Sequence, residues 1–182
     1  MAFWAMMVYA PTFWVNIAGF SNETMGYISA GFGLSGIIWA FVIPRISDRL
    51  GRKPAAVFTA VLVMIPLISM GLSAGVVSQV LYILVPCALA YLNIMFMTLI
   101  PTESVPSYLA VTATAITISL GEVVGAAITP RILGSVADAY GLNVVFFVAA
   151  GLLALTALLS LGLTETKPKA ENTDNKIMNA MN

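Results

Sequence analysis

The segment that decides the fold reads SDRLGRKP at residues 47–54, a short polar stretch between two long apolar runs. Gly51 permits a tight turn between antiparallel helices, and Pro54 suits the first turn of the helix that follows. The cations of the segment are attracted to the anionic cytoplasmic surface of a membrane. The segment therefore predicts two antiparallel membrane helices joined on the cytoplasmic side.

The apolar runs continue on both sides of this segment and make up most of the chain. Of the 182 residues, 60% are apolar and only 9% are charged, against about 25% charged residues in globular proteins. The mean hydropathy is +0.97. Since a helix of about 20 residues crosses a bilayer core, the chain is predicted to be an all-α polytopic membrane protein. Its six predicted spans are 2–20, 25–44, 55–73, 77–100, 109–130 and 143–163.

The predicted domain organisation is one six-helix transmembrane bundle at residues 1–164 followed by a tail at 165–182. The tail is polar and has no periodic apolar face, so it is predicted to be disordered in the cytoplasm. Met1 stands at the membrane edge without the Lys or Arg that usually anchors a first helix. We therefore expect a further segment upstream of Met1.

The residue types that carry most enzyme chemistry are scarce. The chain has no His and one Cys, which excludes His-ligated metal, Ser-His-Asp and Cys-His triads, thiolate zinc clusters and an internal disulfide. Lys plus Arg and Asp plus Glu number eight each, so no basic field exists to bind nucleic acid. We expect no enzyme, no catalytic residue, no metal and no cofactor.

The distribution of cations predicts the orientation. All of them except Arg131 fall on one face of the predicted bundle, so that face is cytoplasmic and both termini lie in the cytoplasm. The connection at 101–107 belongs to the same face, although it carries no cation. The expected location is the cytoplasmic (inner or plasma) membrane, with the lipid bilayer as the surrounding partner.

Two segments that lie ninety residues apart are alike. The first reads PRISDRLG at 44–51, and the second reads GSVADAYG at 134–141. Three pairs of residues correspond at this spacing: Asp48 with Asp138, Gly51 with Gly141, and Gly31 with Gly121. The chain is therefore predicted to contain two three-helix repeats. Because three is odd, the two copies are inverted in the membrane, as in many secondary transporters.

The segment at 47–54 resembles the cytoplasmic-loop signature of the major facilitator superfamily. The residues that match its string D-R-x-G-R-K are Asp48, Arg49, Gly51, Arg52 and Lys53. The usual leading Gly of the signature is replaced by Pro44. The later stretches at 101–106, 121–130 and 163–168 resemble the second half of such a transporter, although the last departs from the frequent PETKG ending.

This resemblance implies a fold and a partner. Members of the superfamily have twelve helices in two halves, and the chain resembles the C-terminal half, helices seven to twelve. The signature loop of each half contacts the other half and helps to latch one state of the transporter. The resemblance therefore implies that Asp48 has lost a contact here. The missing partner is an N-terminal half or a second copy of this chain.

The resemblance also implies where a small organic solute binds, because the first and fourth spans of such a half line the central cavity. The polar residues that share a helix face there are Tyr9, Thr12 and Asn16 in the first span, and Gln79, Tyr82 and Asn93 in the fourth. Pro11 and Pro86 are expected to interrupt these two helices. The alternative is that the polar groups bond between helices, or that Gln79 and Tyr82 lie among lipid headgroups.

Glu122 is the one carboxylate deep within a predicted span, on the same face as Thr112 and Ser119. A carboxylate inside a membrane is costly, so it indicates function by default, and it can bind and release a proton. Glu122 is therefore the candidate proton-coupling residue, with a bond across the contact between halves as the alternative. Arg131 lies half a turn out of phase with Glu122, so it is expected to extend to the outer interface or, alternatively, to bind an anionic solute.

Together these features predict a secondary active transporter. It moves a small organic solute across the membrane by alternating access, coupled to H+, and the chain works only with a second half. The competing interpretation is a truncated, non-transporting fragment or an accessory membrane protein that pairs with a transporter.

Overall fold

The computed structural model describes residues 2–162, and every secondary-structure element in that range is helical. Six helical segments follow one another: α1 Ala2–Asn16, α2 Asn22–Leu50, α3 Arg52–Leu72, α4 Val76–Ser104, α5 Ser107–Tyr140 and α6 Leu142–Leu161. In this range, the five helices α2 to α6 are long and apolar enough to cross a membrane. The predicted all-helical class is thus confirmed, and by length and composition these helices are those expected of a multi-pass membrane protein. The predicted tail at 165–182 lies outside the described residues.

The first helix, α1, is shorter than the span predicted at 2–20. It ends at Asn16, Gly19 follows with a φ of 72°, and the Phe20 N–H donates to the Trp14 carbonyl at 3.2 Å. Glycine suits this helix end, because it adopts the left-handed region without steric cost. The 15 residues of α1 rise about 22 Å, less than the roughly 30 Å of a bilayer core.

Prolines have different effects in α1 and α4. Pro11 lies inside α1, and the expected interruption is absent, because the helix continues through proline at the cost of one backbone hydrogen bond. Pro86 does break α4, between Leu84 and Ala88. The Leu84 carbonyl at this break accepts a hydrogen bond from Trp39 Nε1 of α2 at 2.5 Å, which ties α2 to α4.

Single glycines join α2 to α3 and α5 to α6. Gly51 has a φ of 113° and Gly141 a φ of 90°, and each N–H donates to the carbonyl four residues earlier, at 3.0 and 2.9 Å. Residues with a side chain rarely adopt this conformation. Because each junction is so short, α2 and α5 extend beyond their predicted ends. Asp48 and Asp138 consequently lie in the last helical turns, and the expectation that they lie in loops is wrong.

Both α4 and α5 contain a π-helical segment, Met95–Leu99 and Val123–Ile128 respectively. Each segment ends two residues before a proline, Pro101 or Pro130. Proline lacks the N–H that an α-helical turn requires, and its ring collides with the carbonyl one turn earlier. A locally wider turn accommodates both effects, and such turns are frequent at functional sites.

The best-packed part of the bundle lies between α3 and α6. Half of the most apolar stretch of α3 is buried, whereas only 6% of the corresponding stretch of α5 is buried. The helices α1 and α2 pack against α6 and α3 respectively, and α5 packs against α1, α4 and α6. This arrangement leaves most of the α5 surface uncovered by the described part of the chain.

Gly71 of α3 lies against Phe147 of α6, and a Cβ at this position would stand 2.7 Å from the ring. Because the whole rigid ring would have to move, Gly71→Ala is expected to destabilise the bundle by about 1–3 kcal/mol, the usual cost of overpacking. The matched control is Gly33→Ala in α2, where a Cβ meets nothing within 4 Å. That variant should gain up to about 1 kcal/mol, because alanine is the better helix former. Denaturant unfolding in detergent measures both, and equal stability of the two variants would contradict this packing.

Candidate functional site

Arg52, the first residue of α3, is only 8% exposed and contacts two other helices. Its Nη2 donates to Glu103 Oε1 of α4 at 2.8 Å. Its Nη1 donates to Asp48 Oδ1 and to Ser47 Oγ of α2, at 2.7 and 2.8 Å. We call these four residues the Arg52 cluster. The cluster connects α2, α3 and α4 at one end of the bundle.

Burial explains why the Arg52 cluster holds two carboxylates. A buried guanidinium is costly unless its donors are paired, and its planar fork suits carboxylate oxygens. The Glu103 side chain is 17% exposed, so this pair is largely shielded, whereas the Asp48 side chain is 66% exposed. The pair with Glu103 also places the α2–α3 and α4–α5 junctions at the same end of the bundle, which is the arrangement the predicted topology requires.

Sequence reasoning did not select Glu103 as a site residue. The available signal was indirect: the predicted connection at 101–107 carries an acid and no cation, and it belongs to the same predicted face as the cationic segment at 47–54. An acid in that place complements the cations opposite it. Of the other signature residues, Gly51 forms the junction, Arg49 is exposed, and Lys53 is half-buried near the end of α6.

A cavity of about 310 Å³ opens beside the Arg52 cluster. Its mostly apolar walls come from α2 and α4: Ile43, Pro44, Tyr91, Ile94, Met95 and Leu99. Asp48 and Arg52 form its polar end. Small-molecule sites occupy about 300–1,000 Å³, so this cavity is at the lower end of that range. Its lining suits a ligand with an apolar body whose end lies near the ion pair.

The three predicted solute-binding residues of α1 have different surroundings. Tyr9 donates its hydroxyl to the Pro130 carbonyl of α5 at 2.5 Å, so it connects two helices. Thr12 and Asn16 are exposed, one and two turns further along α1. For Tyr9, the bond agrees with the alternative stated above, in which these polar groups form hydrogen bonds between helices and do not contact a solute.

The three predicted residues of α4 are separated by the break at Pro86. Tyr82 is 4% exposed and packs its ring against Phe32 and Trp14, with ring centroids at 5.3 and 5.9 Å. Gln79 is half-buried one turn earlier. Asn93 lies on the other side of the break and lines a cavity of about 250 Å³ between α1, α4 and α6. The structure therefore does not gather the six predicted residues around one cavity.

Glu122 lies near the middle of α5, immediately before the π-helical segment Val123–Ile128. It is half-buried, and within residues 2–162 it has neither a hydrogen bond nor an ion pair. Thr112 and Ser119, which share its predicted face, are exposed. A carboxylate at this depth is therefore left on a surface that the described residues do not cover.

Arg131 is exposed on α5 and makes no ion pair with the described residues. The helix α5 continues to Tyr140, ten residues beyond the end of the predicted span at 109–130. Arg131 consequently lies inside the helix, where Ser135 donates its hydroxyl to the Arg131 carbonyl at 3.2 Å. Its exposed side chain is free to extend along the helix surface toward the polar interface.

Tyr9→Phe distinguishes a structural role of Tyr9 from a solute contact. Loss of the bond to Pro130 is expected to lower the free energy of unfolding by about 1 kcal/mol. Tyr108→Phe is the matched control, because Tyr108 is 80% exposed. Thermal unfolding in detergent compares the two variants. If both unfold at the temperature of the unmodified protein, the Tyr9 hydroxyl is not a structural group.

Glu122 and the Arg52 cluster are thus two places where the described residues hold charge against apolar surroundings. Comparisons of the chain with protein-family models, with curated proteins and with solved structures found no match. The case for a function therefore rests on the residues and on their geometry.

Proposed function

We propose that the chain is one half of a secondary active transporter of the major facilitator type, which moves a small organic solute across the cytoplasmic membrane. Transport proceeds by alternating access and is coupled to H+. The second half comes from another polypeptide or from a second copy of the chain. Both termini lie in the cytoplasm, as the cation distribution favours.

Glu122 is the observation that carries this proposal. Charged side chains within spans almost always face the bundle interior or a water-filled cavity rather than lipid. The bundle leaves most of α5 uncovered and gives Glu122 no partner among residues 2–162. The surface around Glu122 therefore requires either water or another protein against it. A solute pathway between two halves supplies both.

Two further observations support the proposal. Thr12 and Asn16 add exposed polar groups on α1, which is bonded to α5 through Tyr9. Gly51 and Gly141 give the α2–α3 and α5–α6 junctions the same backbone conformation, and this favours the inverted three-helix repeat of such transporters. The resemblance of the segment at 47–54 to the superfamily signature agrees with both.

Uptake into native membrane vesicles tests the proposal, because the vesicles retain any second half. Vesicles from cells with and without the chain are given an imposed pH gradient and a panel of labelled solutes: a hexose, a dicarboxylate, an organic cation and an amino acid. We expect one class to accumulate only when the chain is present, and a protonophore should abolish that accumulation. Identical uptake of every solute by both sets of vesicles would contradict the proposal.

A further inference from the structure

Two irregular stretches of helix face each other across the cavity of about 310 Å³ beside the Arg52 cluster. Pro44, within α2, lines it on one side. Met95 and Leu99, the first and last residues of the π-helical segment of α4, line it on the other. A proline within a helix removes one backbone hydrogen bond, and a π-helical segment departs from the regular α-helical surface. The two helices therefore do not pack closely along this stretch, and the space between them is a feature of the fold.

The charged end of this cavity is formed by Asp48 and Arg52, and within the described part of the chain its lining contains no other charged residue. Arg52 already donates to Asp48, Glu103 and Ser47. Asp48 accepts this bond through Oδ1, whereas its Oδ2 accepts no hydrogen bond from residues 2–162. The Asp48 side chain is also 66% exposed. The polar end of the cavity therefore offers a carboxylate oxygen to a ligand.

The pairing of Arg52 favours a cation over an anion in this cavity. The guanidinium is shared between two carboxylates, so an anion would have to displace one of them, and separating a buried ion pair is costly. A cation displaces nothing, because it adds a second charge-assisted bond to Asp48. The neighbouring cations lie outside the lining, and salt screens the repulsion from charges near water: they are Arg45, Arg49 and Lys53.

The volume and the walls of the cavity define the rest of the ligand. A water molecule takes up about 30 Å³ in the liquid, so about 310 Å³ holds a molecule of about ten heavy atoms. The walls are mostly apolar, so the body of that molecule is apolar as well. A membrane lipid with two acyl chains is several times larger and does not fit.

We propose that this cavity binds a small amphipathic amine. Its apolar body lies between Pro44 and the π-helical segment of α4, and its ammonium group donates to Oδ2 of Asp48. The site is separate from Glu122, which lies near the middle of α5, so it is additional to the solute pathway of the proposed transporter. Binding at this site requires no uptake, and it occurs whether or not the chain transports a solute.

Photolabelling of native membranes with a diazirine derivative of phenylbutylamine tests this site, and mass spectrometry identifies the labelled peptides. We expect label on the α4 peptide that contains Met95, and excess phenylbutylamine should remove it. Phenylbutanol has the same skeleton without the charge. It should need a concentration about fivefold higher to compete, the effect of one exposed ion pair. Phenylbutyrate, the corresponding anion, should not compete.

Two variants and their matched controls locate the contacts. Asp48→Asn keeps an acceptor for Arg52 but removes the charge, so the amine and the alcohol should then compete equally. Asp138→Asn changes an exposed carboxylate in the last turn of α5 and should keep the preference for the amine. Ile94→Trp fills the cavity and should abolish the label, whereas Val80→Trp on the same helix should not. Both of these residues are 47% exposed, so the added ring is tolerated similarly at the two positions.

Three results would overturn the proposal. Equal competition by the amine and the alcohol in the unmodified chain would show that no carboxylate holds the ammonium group. Stronger competition by phenylbutyrate would show that this end of the bundle binds an anion instead. Label on the Met95 peptide that persists in Ile94→Trp would place the amine in the lipid beside α4 and not in the cavity.

Discussion

Arg52→Ala is expected to lower the free energy of unfolding by about 3–5 kcal/mol, the cost of removing one partner from a buried ion pair. Without the guanidinium, Glu103 keeps a charge that is largely shielded from water, and Ser47 loses its bond. Asp48 contributes little to this cost, because its side chain is 66% exposed. Denaturant unfolding of the purified protein in detergent, followed by tryptophan fluorescence, measures the change.

Arg45→Ala is the matched control for this prediction. Arg45 lies on α2 near the α2–α3 junction, but it is exposed and forms no ion pair within residues 2–162. Its loss should therefore change stability by less than about 0.5 kcal/mol. A double variant, Arg52→Met with Glu103→Leu, removes both charges and should recover most of the stability. If Arg52→Ala and Arg45→Ala unfold at the same denaturant concentration, the Arg52 cluster does not stabilise the bundle.

The helices are the part of the fold that the sequence predicts best, because long apolar runs leave few other structures possible in a membrane. The ends are predicted less well. Ser135 and Asp138 are polar and favour a loop by residue type, yet they are helical, because the single residue Gly141 is sufficient for the junction. The π-helical segments are not visible as patterns. Only Pro101 and Pro130 hint at them, and a proline alone does not specify how its helix adapts.

The candidate site likewise contains residues that can be identified from the sequence and residues that cannot. Residue type and position in the sequence are sufficient to identify Glu122, because a carboxylate in the middle of an apolar run is recognised without knowledge of its neighbours in the fold. The role of Glu103 depends on which helix packs beside α3, and that is a property of the tertiary structure. Tyr82 shows the opposite case: its spacing suggests a polar face, but its ring is buried among aromatic side chains. Helical spacing places residues on a face without saying what that face meets.

Glu122→Gln is expected to abolish the uptake that a pH gradient drives in native vesicles, for whichever solute in the panel the unmodified chain accumulates. Glutamine preserves the size and hydrogen bonding of glutamate but cannot carry a proton. Exchange of labelled for unlabelled solute requires no net proton movement, so it should persist. Glu23→Gln is the matched control, because Glu23 is exposed in the first turn of α2. That variant should accumulate solute as the unmodified chain does.

Labelling with dicyclohexylcarbodiimide tests the same residue without a known solute. This apolar reagent enters the hydrocarbon and modifies the carboxyl groups that it meets there. Glu122, in the middle of α5, should therefore be labelled, and Glu23, exposed in the first turn of α2, should not. Gradient-driven uptake that survives Glu122→Gln would remove the residue from coupling. The remaining explanation for a carboxylate on α5 that has no partner among residues 2–162 would then be a bond to the second half. In that case the variant would weaken the association of the halves and leave the coupling of uptake to the pH gradient intact. The mass of the purified complex, measured by native mass spectrometry, would show the weakened association.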